Sequence, residues 1–182
     1  MTSLILIFHS TAVKGSARLS FETSIKNLDA HLEKLVDQAK HSNVHGIAAT
    51  PWGDNGRILS IQPQAGLDSL GSVSWKETLH LYWKKNDGKK LFYAEIDKDE
   101  AHASGVELDS RYPTKPTPDQ LMALATARDN RAKILQIGFV QFDVSKNWES
   151  SPEALEIHWK AENPQMPVQT YTTEASIWLE AP

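Results

Sequence analysis

A chain of 182 residues, 40% hydrophobic and 23% charged, has the composition of a globular protein and the length of one domain, 1–182, able to bury a core without crosslinks. The absence of cysteine excludes disulfides, thiolate metal sites and thiol nucleophiles, and makes a cytoplasmic location the expectation. The net charge of −4 gathers in residues 95–109 and 148–182, each with 6 Asp and Glu against 1 Lys or Arg; such segments disfavour nucleic acid, whose phosphates reward basic residues, and suit a basic partner or a cation.

The first apolar run, Leu4 to Phe8, lacks the basic flank and cleavage site of a signal peptide, and no run approaches the ~18 apolar residues of a membrane span. Five continuous apolar residues predict a buried central strand, followed by a polar turn at Gly15. Phe21, Ile25, Leu28, Leu32, Leu35, Val36 and Ala39 then recur every three or four residues, with Lys26, Glu33, Lys34, Asp37 and Lys40 opposite them. That spacing predicts an amphipathic helix ending near "HSNVHG". Next come two short strands, "GIAAT" and "RILSIQ", about the turn "PWGDNG". Strand, helix and strand in this order suggest a right-handed crossover within one sheet.

Further on, Leu79, Leu81 and Trp83 alternate with Thr78, His80 and Tyr82, and Phe92, Ala94 and Ile96 alternate with Leu91, Tyr93 and Glu95. With "NDG" between the two runs, a β-hairpin is the natural reading. A polar stretch of about twenty residues follows, a length that is uncommon for a loop without function. Thr117, Pro118 and Gln120 then punctuate a second helix with a stripe of Leu121, Leu124 and Ala125. "ILQIGFVQFDV" reads as one long strand, and "ALEIHWK" and "VQTYTTEASIWLE" as two more. The expected fold is α+β, a mixed, mainly antiparallel sheet packed with two amphipathic helices.

The motifs of familiar chemistry are missing. The glycines of "GDNG" and "GLDSLGSV" match no phosphate loop, and there is no G-x-S-x-G elbow. His41 and His45 have the spacing of a helical metal pair, but Gly46 marks the end of that helix and the Glu of H-E-x-x-H is absent. A calcium loop begun at Asp97 fails at Ala101, His102, Ala103 and Leu108. Neither a metal nor a cofactor is expected. The acidic residues Asp97, Asp99, Glu100, Glu107 and Asp109 instead suggest a docking surface, and Trp52, in a turn beside Asp54 and Arg57, an interface anchor.

The expected function is a non-enzymatic protein-binding module of the physical type of immunity proteins and antitoxins, small inhibitors that meet a basic toxin or nuclease through acidic surface. Neither nucleic acid nor a membrane is an expected partner. The alternative is a small hydrolase whose His and Asp side chains are assembled by folding, with His9, His80 and Asp54 as candidates.

Overall fold

The computed structural model describes residues 2–41, 44–54, 56–85, 88–147 and 154–178. Its first element is α1 (Thr2–Gln38), and all seven residues of the predicted stripe from Phe21 to Ala39 are buried. The helix also takes in the run Leu4 to Phe8, so the expected first strand is not formed and Gly15 lies within a helix instead of a turn. An apolar run of five has no period of its own. It follows the strongly periodic segment beside it, because extending a helix is far easier than starting one and a single glycine costs only about 1 kcal/mol. Among the described residues no helix is long and apolar enough to cross a membrane.

A small ladder of β1 (Lys40–His41) and β2 (Val44–His45) leads to β3 (Ile47–Pro51) and β4 (Arg57–Ile61). The short hairpin of β5 (Gln64–Leu67) and β6 (Val73–Trp75) precedes the predicted one, β7 (Thr78–Lys84) with β8 (Lys90–Asp97). Residues 86 and 87 of the "NDG" turn lie outside the described residues. The acidic stretch contains α2 (Lys98–Ala103) and leads through a loop to α3 (Pro118–Arg128). The chain ends with β9 (Lys133–Ile137), β10 (Phe139–Asn147), β11 (Ala154–Asn163) and β12 (Met166–Trp178).

Five strands form a sheet in the order β3-β4-β7-β8-β9, and β10-β11-β12 form a second. Every pairing between described strands is antiparallel, so the crossover disappears along with the strand that would have made it. The architecture is α+β, with mainly antiparallel sheets packed against helices.

The alternation read in β7 and β8 divides two cores. On one face Leu79, Leu81, Trp83, Ala94 and Ile96 pack with Ala101 of α2 and with Leu121, Leu124 and Ala125 of α3. On the other, Tyr82 and Leu91 meet the α1 stripe together with Phe139, Phe142, Ile157 and Trp159 of the second sheet. Thr117 caps α3, accepting from the Gln120 amide while the Gln120 side chain accepts from Thr117 N at 2.9 Å.

One predicted strand is broken in two. "ILQIGFVQFDV" changes sheets at Gly138, with β9 before it and β10 after it. Its φ of +91° is a region that side chains avoid, and a Cβ there would stand 2.0 Å from the carbonyl oxygen of Glu162.

Candidate functional site

The acidic stretch is built as a capped helix and an anchored loop. Asp97 is the N-cap of α2 and accepts from Glu100 N at 2.9 Å, while Asp99 and Glu100 occupy the first turn, where negative charge complements the helix dipole. Glu100 is half-buried in an ion pair with Arg128 of α3. Glu107 meets His102 Nδ1 at 2.6 Å. Asp109 accepts from Arg111 N at 2.7 Å, and that bond, with the Arg111 guanidinium beside it, holds its carboxyl below the usual range. Asp97, Asp99 and Glu107 are exposed and Asp109 is partly so.

The loop carrying Glu107 and Asp109 is fastened from below by Gln62, which is fully buried. Its amide nitrogen donates to the carbonyls of Lys76 (2.8 Å) and Asp109 (3.2 Å), and its amide oxygen accepts from Thr114 N at 2.5 Å. A buried amide satisfied in this way fixes the backbone it touches. The surface carboxylates of the loop therefore stand on rigid chain.

Trp52 is elsewhere. It is half-buried against the core beneath α3, with Lys85 Nζ 5.9 Å from its ring centroid, and Lys85 itself pairs with Asp129 at 2.5 Å. It follows Pro51, at the end of the sheet where Arg57 pairs with Lys84, whereas Asp97 pairs with Thr78 six residues along β7, ~20 Å away at the rise of a strand.

The candidate His and Asp residues are also separated. His80 pairs with Ile61, four residues along β4 from Arg57, so it lies ~13 Å from the end of the sheet at which the turn of Asp54 stands. The side chains of His9 and His41 lie outside the described residues. His45 is buried, and its Nδ1 accepts from Ile47 N at 3.3 Å. Among the described residues no three His, Asp or Glu side chains are grouped as metal ligands.

A cluster that the sequence did not announce lies under α1. Tyr82 Oη is 2.9 Å from His31 Nδ1, and Tyr93 Oη is 2.7 Å from His80 Nδ1, with the two phenol rings 5.0 Å apart. Burial pushes both tyrosines up and both histidines down, the latter with help from Lys34 and Lys133 at His31 and from His31 and Lys76 at His80, where Glu95 works against the shift. At neutral pH the phenols are therefore protonated and the imidazoles uncharged, so each hydroxyl can donate to an unprotonated Nδ1. Nearby on the same helix, burial and then Glu33 raise Asp29 to about 6, opposed by hydrogen bonds from Tyr171 and Trp159.

These shifts give a pH dependence of known sign. A histidine whose folded pKa lies below its unfolded value contributes stability that is lost as pH falls through about 6.5, whereas Asp29 makes the fold relatively more stable as pH falls through about 6. With Asp29→Asn to remove the opposing group, the melting temperature is expected to fall between about pH 7.5 and 5.5. Adding His31→Gln and His80→Gln should flatten that fall, and an equally steep curve would mean that other groups cause it.

Leu67, Leu70 and Tyr112 are among the large side chains exposed at the surface. "GLDSLG" offers a partial signal, because Asp and Gly at those spacings make a turn that lifts its leucines away from any core. Comparison with protein-family models, with curated proteins and with solved structures gives no match to the chain.

Proposed function

We propose that the protein is a non-enzymatic, cytoplasmic binding module that docks a basic protein partner through its acidic surface, an inhibitor of the immunity or antitoxin type. The observation that carries this reading is the placement of Asp97, Asp99, Glu107 and Asp109 at the surface on backbone fixed by the α2 cap and by Gln62. Carboxylates held in place lose little freedom on binding, and a field of one sign speeds encounter with an oppositely charged protein. Arg111 and Lys98 offset part of that field locally, yet residues 95–109 keep six acidic groups against one basic one. Trp52 and Glu100 have internal partners and contribute less to this face. The absence of cysteine supports the cytoplasmic location.

The test is Asp97→Asn, Asp99→Asn, Glu107→Gln and Asp109→Asn together, assayed against the basic protein that co-purifies from the native host. Asn caps a helix as well as Asp does, so α2 should survive. Association is expected to slow about tenfold at low ionic strength and its salt dependence to flatten, with little change in melting temperature. An unchanged association rate and salt slope would remove the reading.

A further inference from the structure

We propose that the tip of the β5–β6 hairpin and the neighbouring Tyr112 form the apolar anchor of this docking face, and that the basic partner receives them in an apolar depression ringed by Lys and Arg. The inference rests on the function proposed above and names the part of the face that holds the complex together.

Leu70 is 88% exposed, Leu67 70% and Tyr112 68%, although each is large enough to fill a core position. They are not placed there by a loose chain. Asp68 accepts from Leu70 N at 2.9 Å and from Ser72 N at 2.8 Å, its own amide donates to Ser72 O, and Gly71 takes the positive φ of +78° that closes the turn. Opposite, Asp109 closes a second turn by accepting from Arg111 N, and the Arg111 guanidinium lies 5.9 Å from the Tyr112 ring centroid. The two turns face each other across a cleft of about 350 Å³ lined by Asp68, Ser74, Ser110, Arg111 and Tyr112 among others. Trp75 N donates to Ser110 O at 2.7 Å, and Gln62 binds both Lys76 O and Asp109 O, so hairpin and loop move as one piece.

Charge chooses the occupant. Asp68 and Arg111 both line the cleft, and Arg111 is paired with Asp109, so two carboxylates stand against one guanidinium beside the apolar tip. The acidic surface continues to Glu107 and α2, since Lys98 at the start of that helix senses both Asp109 and Glu107. An apolar centre with an acidic rim complements an apolar depression with a basic rim. Large apolar side chains held on fixed turns act as anchors, whose loss speeds dissociation, while rim charges act mainly on association.

The experiment has two steps. Benzophenone is placed at position 70 and, as a control away from the face, at exposed Met122 of α3, and the native lysate is irradiated. The protein captured only from position 70 is purified and its kinetics measured against Leu67→Ser with Leu70→Ser, against Tyr112→Ala, and against the four-carboxylate variant. The expected result is a captured protein of basic charge, dissociation at least about tenfold faster for the tip variants with unchanged association, and the reverse pattern for the carboxylate variant. Capture of an acidic protein, of a second copy of this chain, or of nothing particular to position 70 overturns the inference. So does parental dissociation of the tip variants, and if the carboxylates then still control association, the proposed function stands without it. If neither set of changes alters the kinetics, both fail.

Discussion

Gly138→Ala is expected to cost roughly 2 to 5 kcal/mol, combining about 1–2 for a side chain in left-handed backbone with about 1–3 for forcing atoms into filled space. The methyl carbon would lie 2.0 Å from Glu162 O, and that oxygen cannot swing aside as the end of a flexible side chain would. The next bonds hold it: Glu162 N donates to Gly138 O at 2.8 Å, and Gly138 N donates to Lys89 O at 2.7 Å. Relief therefore requires moving β11 against β10, or β9 against β8, at the single residue where the chain passes from one sheet to the other. Gly15→Ala is the control, because nothing lies within 4 Å of the added carbon and the residue is helical, so the change should stabilise by up to ~1 kcal/mol. Urea unfolding of the two variants decides the matter. A Gly138→Ala protein within about 0.5 kcal/mol of the parent would mean that the chain crosses between sheets by a different route.

That glycine also marks the limit of what the sequence discloses. The stripe of α1, the alternation of β7 and β8 and the capping box at Thr117 were legible because each repeats a physical period or a hydrogen-bonding pattern over enough residues to exclude the alternatives. "ILQIGFVQFDV" keeps one apolar pattern across Gly138, and only the approach of Glu162, distant in sequence, shows why a residue without Cβ stands there. Leu4 to Phe8 failed for the opposite reason, since five apolar residues carry no period with which to choose helix or strand. At six residues α2 is too short to show a stripe, and β5 and β6 are too short and too polar to show alternation.

For the candidate site, the sequence disclosed charge but not its disposition. That Glu100 is taken up by Arg128, while Asp97 and Asp99 meet no basic side chain among the described residues, depends on how α3 lies over α2. Leu67 and Leu70 look like core residues until the turn at Asp68 is seen to lift them into solvent. His31 and Tyr82 are 51 residues apart, and only the packing of α1 on the sheet brings them together.

Leu32→Ala should be as damaging as the change at Gly138, for a different reason. Leu32 is 4% exposed at the middle of the α1 stripe, in the core shared by α1 and the two sheets. Truncation removes three buried carbons and leaves a cavity that close-packed neighbours fill only in part, which costs roughly 2 to 5 kcal/mol. Helices draw most of their stability from packing of their apolar face. The stripe, and not the intrinsic preference of its residues, should therefore hold α1 to the sheets. Leu19→Ala on the same helix, 65% exposed, should change stability by less than about 0.5 kcal/mol. The denaturant slope adds a second readout, because it measures the surface exposed on unfolding. An unchanged slope with a lower midpoint means that α1 unfolds together with the sheets, and a smaller slope or a biphasic curve means that the weakened helix leaves first. Equal losses for Leu32→Ala and Leu19→Ala would show that the stripe does not face the core at all.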